Sequence, residues 1–260
     1  MNIYSIYQDN SLRNYNYLLV CPDSREAAII DPLEADRCLK LAQELQVNIT
    51  TVINTHEHHD HIAGNTDVVN ATGAKIIAHY HAPIAHVDQK VHAGDKIVVG
   101  KSIQLTVLDT PGHTFTHICL LASGNTPALF CGDTLFNAGC GNTHSGDVEL
   151  LYTTFTEQLY KLADNTQVYP GHDYLENNLR FALSREPSNS VAAQWLDKAE
   201  NHDPHQPLVT TLAIEKQINP FFRLESLDMI EQLRKDVPSL AAHPSDREVF
   251  IRLRELRNRW

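Results

Sequence analysis

The stretch Asn54-Thr55-His56-Glu57-His58-His59-Asp60-His61 puts four histidines and two acids into eight residues of a 260-residue chain. With 15 histidines in all, some crowding is expected. At this composition, however, H-x-H-x-D-H arises by chance in roughly three of a thousand such chains, so the pattern calls for a chemical reason. In an extended segment alternate side chains share a side: His56 and His58 point one way, Glu57 the other, and Asp60 keeps the parity of the two histidines. His61 comes within reach once the chain turns, and Gly64 suits a bend or the start of a helix.

Working outward, the apolar run 50–54 leads directly into the cluster and reads as a strand. Runs at 15–20, 27–30, 75–79, 96–100, 103–110, 117–122, 128–132 and 166–170 have the same length and β-branched character. Helical periodicity separates some of them, at 34–46 and 150–163. From about Tyr174 the strand signals stop, and Leu175, Leu179 and Leu183, then Leu227, Ile230 and Leu233, then Phe250, Leu253, Leu256 and Trp260 mark helices, the last running to the chain end. The organisation predicted is a mixed α/β domain over 1–173 followed by a helical domain over 174–260. No internal repeat or flexible linker interrupts it.

Three further motifs each follow an apolar run: Thr110-Pro111-Gly112-His113, Cys131-Gly132-Asp133-Thr134 and Tyr169-Pro170-Gly171-His172. Loops beyond strand ends are where layered α/β folds gather reactive groups, so all four segments can share one pocket. His56, His58, His61, His113 and His172 with Asp60 and Asp133 are neutral imidazoles and carboxylates without a thiolate, a donor set for zinc, iron or manganese. Seven donors exceed one tetrahedral ion and suit two ions with a bridging carboxylate. Asp31 and Asp109 are candidates to orient histidine tautomers, or else to cap turns. The remaining histidines, including His59, His79 and His117, are read as structural, and Glu57 and His59 as facing away from the ions.

Composition narrows the function. A formal charge of −11 repels a phosphate backbone, which argues against nucleic acid as a partner. The N-terminal residues MNIYSIYQDN carry no basic-then-apolar signal, and no run of 18 apolar residues occurs, so a cytoplasmic protein without a membrane or an obligatory protein partner is expected. Five cysteines without a C-x-x-C pair argue against both a disulfide framework and a thiolate metal site.

At Thr55 to His61 the sequence resembles the metallo-β-lactamase superfamily and, within it, the hydroxyacylglutathione hydrolase (glyoxalase II) family. Asp31-Pro32, the motif ending at His113, the run from Leu129 to Phe136 with Gly139-Cys140-Gly141, Gly171-His172-Asp173-Tyr174, the segment from Asn178 to Leu183 and Asn219-Pro220-Phe221-Phe222-Arg223 extend the similarity over nearly the whole chain. The resemblance implies a four-layer αββα sandwich with a C-terminal helical domain. It implies that His56, His58 and His113 bind one metal, Asp60, His61 and His172 a second, and that Asp133 bridges them, with Asp60 and Asp133 the catalytic carboxylates. It also implies a glutathione pocket containing Tyr174, Arg254 and Arg257. In that pocket the chain departs from the family: Asn142 stands where a Lys is expected, His144 where a Tyr is, and Arg257 where a Lys is.

The reaction implied is hydrolysis of an S-(2-hydroxyacyl)glutathione, such as S-lactoylglutathione, to the 2-hydroxy acid and glutathione. Two ions about 3.5–4 Å apart hold a bridging water and lower its pKa toward about 7, which supplies hydroxide for attack on the thioester. Two alternatives stand beside it: a glutathione persulfide dioxygenase with a single iron, and another hydrolase of the superfamily acting on a different thioester or a lactone.

Overall fold

A computed structural model describes all 260 residues, Met1–Trp260. The first of two six-stranded sheets runs in chain order: β1 (Asn2–Tyr7), β2 (Tyr15–Val20), β3 (Glu26–Ile30), β4 (Asn48–Ile53), β5 (Lys75–His79) and β6 (Gln89–Val91). β1 to β3 pair antiparallel and β3 to β6 parallel. Parallel neighbours need a crossover, and α1 (Ala35–Glu44) provides it between β3 and β4, α2 (His59–Ile62) and α3 (Asn65–Thr72) between β4 and β5.

The second sheet draws on β7 (Lys96–Val99), β8 (Ile103–Asp109), β9 (Ile118–Ala122) and β10 (Ala128–Gly132). A small hairpin of β11 (Leu135–Phe136) and β12 (Gly139–Cys140) follows, then α4 (Val148–Glu157), β13 (Gln167–Pro170), α5 (Leu175–Arg185), α6 (Ser190–Ala199), β14 (Thr210–Thr211), α7 (Leu212–Ile218), α8 (Leu227–Asp236) and α9 (Asp246–Arg257). The strand order in this sheet is β14-β13-β10-β9-β8-β7.

Alternation along the strands builds the layers. Leu19, Ile30 and Ile53 of the first sheet pack with Leu105, Leu120 and Phe130 of the second, filling the space between them. Their neighbours Leu18, Ile29 and Val52 turn the other way, onto Cys38 and Ala42 of α1 and Val68 of α3. On the far side Leu129, Cys131 and Val168 meet Leu151 and Phe155 of α4 and Phe250 and Leu253 of α9. This is the αββα sandwich that the resemblance implies. Each large apolar side chain fully buried contributes about 1.5–3 kcal/mol, so strands buried on both faces give the loops at their ends a stiff base.

Several sequence-based expectations shift. The helix read over 150–163 ends at Glu157, with a 3₁₀ turn at Leu159–Lys161, and the last helix stops at Arg257. The C-terminal part is helical except for β14, which pairs with β13 at the edge of the second sheet. β1 and β6 carry too little apolar alternation to be seen in the sequence. All five thiols are free and buried. No helix is long and apolar enough to cross a membrane.

Candidate active site

β9 runs antiparallel to both β8 and β10, and β13 runs parallel to β10, so β8, β10 and β13 all point the same way. Just beyond their ends lie His113, Asp133 and His172, and β4 of the facing sheet leads into Asn54 to His61. The pairing of β10 with β13 slips between Phe130 and Gly132. Gly132 has φ +43°, and a Cβ there would lie 2.4 Å from Thr55 Oγ1 and 2.7 Å from His117 Nε2. Only glycine allows this approach, and the bulge it forms re-aims the chain so that Asp133 enters the site.

Two groups of donor atoms result. His56 Nε2 lies 3.1 Å from His58 Nδ1, which lies 2.9 Å from His113 Nε2. His61 Nε2, His172 Nε2 and Asp60 Oδ2 lie 3.2–3.5 Å from one another. Between the groups, Asp133 Oδ2 is 3.1 Å from His172 Nε2 and 3.6 Å from His113 Nε2. All seven residues singled out in the sequence therefore converge. His56 and His58 do converge, but Thr55 and His56 lie in a bend rather than in an extended segment, and Glu57 turns away to accept from Thr114 and Thr116. Asp60 reaches the site for a different reason than strand parity: it lies in the short helix α2.

The outer nitrogens explain the inner ones. His113 Nδ1 donates to the Asn142 carbonyl and His172 Nδ1 to the Leu12 carbonyl, each at 2.7 Å. A carbonyl only accepts, so Nδ1 carries the proton and a neutral ring presents a lone pair at Nε2. His61 Nδ1 is held 3.1 Å from Asp31 Oδ2, His56 Nδ1 3.0 Å from Thr55 Oγ1, and His58 Nε2 2.8 Å from Ser145 Oγ. Asp31 itself accepts from the Thr55 backbone N–H and hydroxyl, and adopts a left-handed φ of +52°. It is thus an orienting partner. Asp109 is not: its carboxylate faces His79 at 3.8 Å.

Lone pairs meeting at such distances repel unless a cation lies among them. Asp133 Oδ1 is buried without a hydrogen-bond partner, and a Cβ at Gly171 would sit 2.4 Å from it, so the space beside this oxygen is kept clear. Burial, with His61 beside it, holds His56 well below the usual imidazole range, and burial also lowers His113. Burial opposes ionisation of Asp133, yet the facing His172 and His61 hold its carboxyl well below the usual range. Burial opposes protonation of His61 too, yet the facing Asp133, Asp31 and Asp60 hold it well above the usual range, so an ion taken by its Nε2 displaces a proton there. Neutral His56 and His113 and ionised Asp133 are already in ligand form, and the donor set fits divalent metal ions.

His117, read from the sequence as structural, does more than fill the core. Its Nε2 accepts from the Asp133 backbone N–H at 3.1 Å, its Nδ1 lies 3.0 Å from the hydroxyls of Thr110 and Thr134, and its ring stacks on His56. Nothing in its sequence spacing distinguishes it from a core histidine.

Beside the donor groups a cleft of about 290 Å³ is lined by Asn142, His144, Tyr174, Arg254 and Arg257, together with Phe136, Cys140, Asn177, Asn258 and Trp260. Tyr174 stacks flat on His172, with ring centroids 4.8 Å apart. Arg254 is buried and donates to the carbonyls of Cys140 and Gly141 and to Asn258 Oδ1. Arg257 bonds only Asn178 Oδ1, and burial together with the neighbouring Arg254 lowers its pKa.

The family model for the metallo-β-lactamase superfamily matches residues 11–175, and that for the hydroxyacylglutathione hydrolase C-terminus matches 173–260. A hydroxyacylglutathione hydrolase from Polaromonas sp. is 54% identical, and one from Nitrosococcus oceani 49%, each over 100% of both chains. The chain belongs to the hydroxyacylglutathione hydrolase family. Among solved structures, ETHE1 from Myxococcus xanthus superposes with a TM-score of 0.72 at 29% identity, covering 99% of this chain and 92% of that one. Membership makes the chain a thioester hydrolase of the glyoxalase II type, and the family implies divalent metal at the His/Asp groups. Full-length identity at this level leaves the dioxygenase and lactone readings less supported.

Proposed function

We propose that His56, His58 and His113 hold one divalent ion, that Asp60, His61 and His172 hold a second, and that Asp133 is shared between them. The observation that carries this is the position of Asp133 Oδ2, within 3.6 Å of a ligand nitrogen from each group. Zinc is the metal proposed, with iron and manganese the other ions this donor set accepts. Bound there, the ions supply Lewis acidity, which acidifies water and polarises the thioester carbonyl.

The protein's own groups do the rest. Asp133 keeps Oδ2 in the space between the donor groups, and Asp60, besides its place in the second group, accepts a hydrogen bond that orients the attacking water. The departing glutathione thiolate needs no general acid, because a thiol's pKa is about 8.5. The substrate proposed is S-(2-hydroxyacyl)glutathione, S-lactoylglutathione among them, with its glutathione part in the cleft beside Tyr174. Arg257, Asn142 and His144 offer donors to its carboxylates, and Arg254 shapes the wall behind them. Its compartment is taken to be the cytoplasm, where glutathione is abundant and free thiols such as these five stay reduced.

The test joins metal analysis to a substrate screen. Purified protein loaded with Zn²⁺ should carry two ions and cleave S-lactoylglutathione in preference to other thioesters and lactones. Asp133→Ala should lose metal and drop kcat by at least a hundredfold. Full activity in Asp133→Ala with two ions still bound overturns the ligand reading; equal rates on thioesters lacking glutathione overturn the substrate reading.

A further inference from the structure

The two donor groups meet at Asp31, which takes the Thr55 hydroxyl behind His56 as well as His61 Nδ1, and are otherwise supported by different parts of the chain. The outer nitrogens of His56, His58 and His113 rest on Thr55, Ser145 and Asn142. The second group rests on Asp31 and on the loop joining β1 to β2, of which three consecutive residues each reach one member or neighbour of that group. The Leu12 carbonyl accepts from His172 Nδ1 at 2.7 Å. Arg13 pairs with Asp173, donating through Nε to its carbonyl at 2.8 Å and through Nη2 to its carboxylate. Asn14, fully buried, donates from Nδ2 to Asp60 Oδ2 at 2.9 Å.

The direction of that last bond is fixed from behind. Asn10 Nδ2 donates to Asn14 Oδ1 at 2.8 Å, while Asn10 Oδ1 accepts from the Asn14 backbone N–H at 3.0 Å. With its oxygen engaged, the Asn14 carboxamide can present only its amino group to Asp60. The loop and the first residue of β2 are also joined to the segment beyond β13 that carries His172, since Tyr15 N donates to the Gly171 carbonyl and Asp173 N to the Arg13 carbonyl. Arg13 sits at φ +58°, a left-handed conformation that turns residues 12 and 14 toward the site together.

We propose that the β1–β2 loop, acting through Asn14, sets how firmly the Asp60–His61–His172 group holds its ion, and so decides between one-metal and two-metal forms of the protein. Asn14 is a positioning residue: it touches a ligand carboxylate and no reacting atom. The inference rests on the two-ion reading above. Because the His56–His58–His113 group shares no outer partner with this loop, the effect of disturbing it is confined to one ion.

The experiment is competition by a chelator of known affinity on the full-length, Zn²⁺-loaded protein, with the ions that remain counted by mass spectrometry of the intact chain. Removing an outer partner of a metal ligand weakens metal affinity about 10–100-fold. In Asn14→Ala one ion should be lost at a chelator concentration lower by that factor, and the other should leave at the wild-type concentration. Asn10→Ala, farther from Asp60, should shift the same ion less, and it decides the matter where Asn14→Ala does not fold. Both ions shifting together, or neither, overturns the inference. Asp60→Ala separates the levels: if it removes one ion while the Asn14 and Asn10 variants keep both at wild-type affinity, the loop assignment alone fails, and if it keeps both ions, the ligand reading and the inference fail together.

Discussion

Arg254 and Arg257 stand one turn apart on α9 and direct their charge differently. Arg254 satisfies the carbonyls of Cys140 and Gly141 within the buried wall of the cleft, so Arg254→Ala leaves two acceptors unpaired and should cost about 1–3 kcal/mol of stability, seen as a lower Tm. Arg257, with a single side-chain partner, is freer to meet a carboxylate. Arg257→Ala should raise KM for S-lactoylglutathione roughly tenfold or more with kcat and metal content kept, and Asn142→Lys with His144→Tyr should lower it. A fall in kcat without a change in KM would remove Arg257 from the pocket. The seven donors were legible because residue type and the strand before each motif name them one by one. The division of labour between the arginines was not, since hydrogen bonds to main-chain carbonyls more than a hundred residues away leave no trace in local spacing.

At the level of elements, the strands buried on both faces were readable as short apolar runs, and all nine runs correspond to strands of the two central sheets. The weak signals were the edge strands and the turns that aim side chains. Gly132 illustrates the cost: as one glycine in Cys131-Gly132-Asp133-Thr134 it looks like an ordinary turn residue, yet it takes φ +43° where β10 bulges and Asp133 turns inward, and a Cβ there would lie only 2.4 Å from Thr55 Oγ1. Gly132→Ala should destabilise the fold by about 1–3 kcal/mol through strain alone, and because the displaced neighbours are Thr55 and His117, kcat should fall further than the loss of folded protein explains. Thermal unfolding and kcat per mole of folded, metal-loaded enzyme check this. An alanine variant with wild-type Tm and kcat would show that the strand accommodates a side chain there.

For the whole molecule, the αββα order came from resemblance, because no local pattern states which strands of two sheets face each other. How the helical part is fastened to the sandwich was hidden for the same reason. Glu215 of α7 is fully buried at that junction, where it accepts from the Ala138 backbone N–H at 2.9 Å, the Thr210 hydroxyl at 2.6 Å and Asn219 Nδ2 at 2.8 Å. Asn219 in turn donates to the Gly139 carbonyl of β12, so the Asn219-Pro220-Phe221 motif is a fastening between the two parts.

Burial outweighs these donors and pushes the Glu215 carboxyl up from 4.5 to about 7. A carboxyl whose folded pKa is raised binds more protons in the folded state than in the unfolded one over that interval, so stability falls as pH rises from about 4.5 to about 7 and levels off above it. The difference amounts to at most about 3 kcal/mol. Glu215→Gln cannot titrate, so the stability of the wild type relative to this variant, measured by urea unfolding at matched pH and metal content, should decline between pH 5 and pH 7.5. Comparing the two proteins at each pH cancels the common loss of metal as the histidine ligands protonate. A relative stability that stays constant, or that rises with pH, would mean that the three donors hold Glu215 ionised throughout and that the junction is fastened by a charge rather than by a shared proton.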